Sequence, residues 1–340
     1  MSGRREAWVR AIWRGEHPVA RVAGTALLPA AAMYGAAVAL RNRLYDKDWL
    51  TSARVPARVI GVGNLSVGGS GKTPTVLWLA EALQARGRRV AIVARGYGKR
   101  RRGVVVVGEA GMALVTAAEG GDEAVMLAGR FSGPVLTAER RADAARRACE
   151  RYGVDTIVLD DGFQHRALAR DADLVVLTED PHRARLLPAG PLREGAAALR
   201  RARAVLLMEG VAPSLPASVP AFRARTVPVA VVRDGVAEDV RMLRGRQVLA
   251  VAGIARPERF FALLATLGAE VRHALAFADH HVYTAADGMQ IAAGAGDATV
   301  VTTEKDAVKL TQLPGLPPLA VLRIEVRVED GARLLEVLEA

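Results

Sequence analysis

Short apolar runs alternate with turn residues and amphipathic stretches along most of this 340-residue chain. The first run is Val59-Ile60-Gly61-Val62, and residues 75–86 behind it repeat apolar positions at helical spacing. The same order of strand, turn and helix recurs. Strands are predicted over 89–94, 104–107, 135–136, 156–161, 174–177 and 204–208, with helices opening at Asp122 and running over 138–152. Successive strands separated by helices predict an α/β fold whose mostly parallel sheet is covered by helices. A proline-containing stretch at 211–220 reads as a linker. Beyond it, strands over 247–252, near Val271 and over 299–302, with a helix over 257–267, make a second, smaller α/β domain. The implied boundaries are 1–50 for an N-terminal helical region, 51–220 for the main domain and 221–340 for the smaller one.

The first fifty residues break this alternation. Residues 22–40 carry no charge and are flanked by Arg10, Arg14 and Arg21 on one side and Arg41 and Arg43 on the other. As a helix they would extend about 28 Å, close to the hydrocarbon thickness of a bilayer. Alanine richness and Pro29 make a shallow interfacial helix as good a reading as a span. Composition changes the picture in three ways. At 51% hydrophobic the chain can bury a large core. Its one cysteine, Cys149, excludes an internal disulfide. The formal charge of +11 calls for an anionic partner, and ten Lys/Arg against four Asp/Glu in the first 60 residues place much of it beside the apolar run. A membrane surface is therefore expected. No nucleic-acid partner is expected, because aromatics are only 4% of the chain and that chemistry interleaves them with basic residues.

Candidate chemistry sits where strands end. Residues 61–75 read GVGNLSVGGSGKTPT, a glycine-rich turn between a strand and a helix. Gly68, Gly69, Ser70 and Gly71 would let backbone N–H groups approach a phosphate, with Lys72 on the β/γ-phosphates and Thr73 as a Mg²⁺ ligand. The usual spacing wants glycine where this chain has Ser66. A nucleoside triphosphate is the expected ligand. The run 156–159 ends in Asp160-Asp161, placed as a strand-end acidic site would be, and continues into Gly162-Phe163-Gln164-His165. Asp122-Glu123 opens a helix, where a carboxylate serves as a cap or as a base for an attacking hydroxyl. Asp279-His280-His281 sets a carboxylate beside two histidines, suited to a polarised histidine more than to zinc. Thr302-Thr303-Glu304-Lys305-Asp306 is a strand-to-helix turn whose charges could cap the helix or reach a nucleotide. Residues 187–194 form a rigid turn carrying Arg193-Glu194.

Together these strings resemble the tetraacyldisaccharide 4′-kinases of lipid A biosynthesis: GNLSVGGSGKTP, RGYG, GDE, DDGFQH, LPAGPLRE, FADHH-Y and TEKDAVK occur in that family's order. The resemblance runs from the N-terminal region almost to the end, and serine at position 66 agrees with it. It implies a phosphate-loop kinase fold and a Mg²⁺- and ATP-dependent enzyme, expected to be a monomer at the cytoplasmic face of the inner membrane. The enzyme would phosphorylate the 4′-hydroxyl of an anionic glycolipid, a tetraacylated glucosamine disaccharide 1-phosphate. The resemblance further implies Asp122 as the base, paired with His280 in preference to His281, and closure between domains to assemble the site. Asp160, Asp161 and Glu194 would join Thr73 at the metal, and Tyr97, Arg141, Gln164, His165 and Arg193 would meet substrate. The alternative is a phosphate-loop NTPase that couples hydrolysis to conformational change.

Overall fold

The strands expected from the apolar runs are present in a computed structural model of the chain, which describes residues 8, 9, 11–13, 16–68 and 71–340. Contacts divide the chain into two units assembled from separate stretches. The first comprises Met1–Arg95, Leu136–Thr226 and Val326–Ala340, the second Gly96–Val135 and Val227–Glu325.

In the first unit, strands Ala204–Met208, Ala172–Leu177, Arg58–Gly63, Thr156–Asp160 and Val90–Ala94 lie side by side in that order, all parallel. Their side chains are almost all buried, as expected of strands covered on both faces. Helix Lys72–Ala85 buries Val76, Leu79, Ala80 and Leu83, a stripe at spacings of three and four. Helix Arg141–Tyr152 buries Ala142, Ala144, Ala145 and Ala148. It starts three residues later than its pattern predicts, because Ala138 N–H still bonds to Ala94 O (3.2 Å) and so prolongs strand Val135–Thr137. Helix Gly331–Glu339 returns to this unit, its Glu339 held by Arg86 and Arg88 (2.8 and 3.0 Å).

The apolar N-terminal run forms two helices, Pro18–Ala26 and Leu28–Asp46, bent by 45° at a break just ahead of Pro29. Proline lacks an N–H and starts helices better than it continues them, so it opens the second. No single helix among the described residues is long and apolar enough to cross a membrane, although the bent pair together reaches that length and composition. Arg10 and Arg14 lie outside the described residues. The second helix bonds its own unit through polar groups: Tyr34 OH donates to Arg193 O (3.0 Å) and Asn42 Nδ2 to Glu194 (2.9 Å). Val22, Met33, Leu40 and Trp49 stay exposed.

The second unit has its own parallel set, Glu270–Ala276, Gln247–Ala252, Thr299–Thr303 and Leu319–Val328, in that order. Helix Pro257–Thr266 packs Phe260 and Leu264 with Val248, Ala250 and Val301 into one core. Helix Ala285–Ala295 packs Ile291 with Leu249, Val251, Val300 and Leu310 into another. Short helices Asp122–Ala128 and Glu304–Leu310 pack against each other. Strand Ala221–Arg233 crosses the unit boundary and pairs antiparallel with Val236–Glu238. Pro228 within it argues against a strand in the sequence, and its exposed and buried positions follow no single period.

Gly63 ends the strand that feeds the glycine-rich turn. A Cβ there would lie 2.5 Å from Phe163 Cβ and 2.9 Å from Phe163 N. Gly63→Ala is therefore expected to cost about 1–3 kcal/mol by overpacking, read as a lower Tm, with weaker nucleotide binding because Asn64 follows directly. An unchanged Tm would show that this approach is not constraining.

Candidate active site

Parallel register places the chemistry of the first unit. Val62 pairs with Asp160, so strand Arg58–Gly63 ends one residue beyond strand Thr156–Asp160, and Asn64 and Asp161 follow directly at neighbouring strand ends. Gly162 N–H bonds back to Val62 O (2.9 Å) and tightens the second turn. Asp161 adopts φ +50°, the left-handed region that a short polar side chain tolerates. Its carboxylate forms an ion pair with Lys72 Nζ (3.0 Å) and accepts from Arg193 Nη1 (2.6 Å). Lys72 also donates to Asn64 Oδ1 (3.0 Å), and Gln164 Nε2 donates to Asn64 O (2.8 Å). Gly71 opens the helix at φ +70°, a conformation that suits glycine. Thr73 follows Lys72 in the first turn of that helix. Gly68 has φ +102°, while Gly69 and Ser70 lie outside the described residues.

Electrostatics here favour anions. Burial works against ionising Asp161, but the charges of Lys72 and Arg193, with their hydrogen bonds, outweigh it and bring its carboxyl down to about 2. His165 goes the other way: burial and the charges of Arg141, Arg170, Arg95 and Arg41 depress it to about 4, so it is neutral near pH 7. Neutral His165 can accept from Arg141 Nη1 at 3.1 Å through Nδ1. Arg141 is itself pushed down by burial. Arg141 Nε, Asn64 Nδ2 and Gln164 Oε1 are buried without a hydrogen-bond partner among the described residues, as expected of groups that meet a polar ligand. Asp160 is buried at the strand end. Glu194 is buried too, its carboxylate held by Asn42 (2.9 Å), Arg201 (2.8 Å) and Arg41 (3.6 Å).

A second set of side chains is complete within the second unit. His280 Nδ1 lies 3.1 and 3.0 Å from the two carboxylate oxygens of Asp122. His280 has φ +56°, and its ring lies 4.8 Å from that of Tyr97. His281 faces elsewhere, bonding Asp287 (3.1 Å) and stacking on Phe277 (4.9 Å). Gly121 (φ +92°) ahead of Asp122 is fixed by the chain beside it, since a Cβ would sit 2.9 Å from Gly96 Cα and 3.1 Å from Tyr97 O. Two lysines of helix Glu304–Leu310 complete the set. Lys305 Nζ reaches Asp279 (2.9 Å), Glu123 (3.2 Å) and His280 Nε2 (3.2 Å), and Lys309 Nζ reaches Asp122 (3.3 Å). Burial opposes the charge on Asp122, but the bond from His280 and the charges of Lys305, His280 and Lys309 hold its carboxyl down to about 2.

The helix bearing the lysines is itself pinned. Asp306 is fully buried and accepts from Gly253 N (2.9 Å), Tyr283 OH (3.0 Å) and Thr303 Oγ1 (2.7 Å). Burial and the adjacent Asp306 push the Tyr283 hydroxyl far above its ordinary value, so it remains a donor. Asn64 and Lys309 were not among the residues the sequence singled out. Lys305 and Lys309 lie four apart on one helix, a spacing that puts them on one face and was the available signal. Among the described residues no three His, Cys, Asp or Glu side chains gather as a metal cage.

Comparison with known proteins adds a setting. Residues 23–340 match the family model described as tetraacyldisaccharide-1-P 4′-kinase. The chain is 46% identical to the tetraacyldisaccharide 4′-kinase of Anaeromyxobacter dehalogenans (strain 2CP-C), covering 96% of this chain and 93% of that protein. It is 41% identical to the protein of the same name from Syntrophus aciditrophicus (strain SB), covering 87% of each. A crystal structure of the "apo" form of LpxK from Aquifex aeolicus in complex with ATP is similar at TM-score 0.80 and 33% identity, covering 93% of this chain and 98% of that one.

The acidity of Asp161 has a consequence for stability. Its ordinary value is 3.8 and its folded value about 2, so the stabilisation it supplies is complete above about pH 4 and is lost as pH falls towards 2. Asp161→Asn is expected to flatten that part of the curve of unfolding free energy against pH. Equal slopes in mutant and parent across this window would contradict the ion pairing.

Proposed function

We infer how this chain works from one premise: it belongs to the tetraacyldisaccharide-1-P 4′-kinase family. It is a kinase that transfers the γ-phosphate of ATP to the 4′-hydroxyl of a tetraacyldisaccharide 1-phosphate in lipid A biosynthesis. Phosphoryl transfer asks a protein for a grip on the phosphates and a group to take the hydroxyl proton.

The grip is assigned to the first unit. Lys72 would leave Asp161 for the β/γ-phosphates, with Gly68 and Gly71 leaving the backbone open towards them. Thr73 and the adjacent carboxylates Asp160 and Asp161 form the donor set Mg²⁺ prefers, one or two carboxylates completed by phosphate oxygens and water. Bound there, Mg²⁺ would neutralise charge on the transferring phosphoryl group. Glu194 would join that set only by exchanging Arg201. Arg193, Arg141, Gln164 and His165 stand as substrate or phosphate contacts, with the buried polar atoms of Arg141 and Gln164 supporting that role.

The base is assigned to Asp122. One observation carries this: a buried, ionised carboxylate meets His280 through both oxygens, with the Tyr97 ring alongside. As the 4′-oxygen bonds to the γ-phosphorus, the P–O bond to ADP breaks and the hydroxyl proton passes to Asp122. An NTPase without an acceptor has no need of such a base. The exposed Val22, Met33 and Leu40 on helices flanked by basic residues, with Trp49 just beyond them, support an interfacial position at the cytoplasmic face of the inner membrane, where a monomer would meet its acylated substrate.

The assay is transfer of labelled γ-phosphate from ATP to tetraacylated disaccharide 1-phosphate in detergent micelles. Asp122→Asn is expected to lower kcat by about 10²–10⁴-fold with KM for ATP little changed, and Lys72→Ala to abolish labelled lipid. Phosphate release without labelled lipid would support the NTPase reading. Full turnover by Asp122→Asn would remove Asp122 from the chemistry.

A further inference from the structure

Arg170 and Asp173 lie beyond the DDGFQH string and outside the phosphate grip, yet they form a buried ion pair within the first unit. Their side chains are 9% and 8% exposed, and Arg170 Nε donates to both carboxylate oxygens, at 2.8 and 3.0 Å. Asp173 stands opposite Gly61 on the neighbouring strand. A Cβ on Gly61 would collide with Asp173 Oδ1 and lie 2.9 Å from Arg170 Cδ, so the strand that feeds the glycine-rich turn carries a glycine where the pair crosses it. Taking two charges out of water is costly, and apolar side chains of like volume commonly serve stability as well or better. Burial does push the Asp173 carboxyl up, against the charges of Arg170, Arg201 and Arg166. Cohesion alone does not call for an ion pair here.

What an apolar pair could not supply is the far end of the guanidinium. Arg170 Nη1 donates to His165 O (2.9 Å) and Leu168 O (3.0 Å), carbonyls of the turn that follows Gln164. Leu168 is fully buried, so its carbonyl needs a donor from the protein. The guanidinium is a rigid planar fork; with Nε fixed on Asp173, the direction of Nη1 is fixed too. From this geometry we propose that Arg170, aimed by Asp173, is a positioning residue that clamps the turn of residues 164–168 and so sets Gln164 and His165 in the reacting site. The proposal rests on Gln164 and His165 being contacts in that site.

The clamped turn has two ends. On one, main-chain bonds tie it to the strand before the site, from Ala53 N to Ala167 O (2.9 Å) and from Ala169 N to Ala53 O (2.8 Å). On the other, the side chains of Gln164 and His165 reach towards the phosphate grip: Gln164 Nε2 donates to Asn64 O (2.8 Å), and His165 Nδ1 lies 3.1 Å from Arg141 Nη1. Arg170 holds the carbonyls between these ends. Its charge also acts on the imidazole, which burial, Arg141 and Arg170 together depress. A turn freed from Arg170 would keep its outer bonds and lose the aim of its inner side chains.

The test is the full chain with the pair replaced by apolar side chains, Arg170→Met together with Asp173→Leu. Its Tm is expected to stay near that of the parent, while kcat/KM for the tetraacylated acceptor falls about 10–10²-fold. KM for ATP should change little, because Lys72 is held by Asn64 and Asp161, which Arg170 does not bond. Amide hydrogen exchange at His165, whose N–H bonds to Gly162 O (2.9 Å), is expected to quicken about tenfold or more. Parent exchange rates in this variant would overturn the clamp even if Gln164 and His165 are contacts. Quickened exchange with parent kinetics would make the pair purely structural and also overturn the proposal. Should the paired variant not melt cooperatively, Arg170→Lys decides the same way: an ammonium has no planar fork to span a carboxylate and two carbonyls, so exchange and kcat/KM move in the same directions, and parent values for both overturn the proposal. Turnover in Gln164→Ala and His165→Ala bears separately on whether those side chains are contacts.

Discussion

Parallel pairing of the strands Arg58–Gly63 and Thr156–Asp160 imposes the constraint from which the first unit's chemistry follows. With Val62 opposite Asp160, the two strands stop within one residue of each other and their turns start close together. A slip of one residue would turn every side chain of a strand to its other face. Both strands are buried on both faces, so such a slip would have to repack two cores at once. Beyond those ends, a lysine opening the following helix and a carboxylate at the neighbouring strand end lie within ion-pair distance. Partly exposed ion pairs contribute little by themselves. The placement is inherited from the sheet.

The second unit solves a similar problem with side chains. Asp306, fully buried, accepts from three donors on different segments, Gly253 N, Tyr283 OH and Thr303 Oγ1. A buried carboxylate is tolerable only when its oxygens are satisfied in this way. The arrangement anchors the start of helix Glu304–Leu310 and so fixes Lys305 and Lys309. Those lysines in turn fix the charges around Asp122 and His280. The unit thus runs from one satisfied buried group to the reactive pair through a single turn of helix.

Much of this was legible in the sequence, and the limits have physical causes. The apolar runs located the parallel strands because strands covered on both faces must be continuously apolar, and the glycine-rich turn declared itself because few other contexts need that composition. Strand Ala221–Arg233 was not found, since it holds a proline and follows no single period. Pairing was the larger obstacle. Asp122 and His280 are 158 positions apart, and a linear division of the chain assigns them to different domains, whereas both fall in one compact unit built from two stretches. Spacing carries no record of such a return. The motif order implied the pairing and preferred His280 to His281; in the fold His280, at φ +56°, meets Asp122, while His281 bonds Asp287. Lys309 closed the TEKDAVK string without a role of its own, because a lysine near a helix end is ordinary until something acidic is found opposite it.

Asp122, the proposed base, is held near 2 and looks ill matched to a hydroxyl at neutral pH, since proton acceptors work best near the working pH. The nature of phosphoryl transfer resolves this. In a loose transition state little bond to the incoming oxygen has formed, so the hydroxyl keeps its proton until late and a strong base gains little. What such a reaction rewards is a fixed acceptor aimed at the hydroxyl and always ionised. Lys305 and Lys309 secure the ionisation, while the two contacts from His280 secure the aim. Asp161 reaches a similar acidity through Lys72 and Arg193, cations whose other candidate partners are phosphates, so its acidity depends on the ligand. That of Asp122 is built into the unit that carries it.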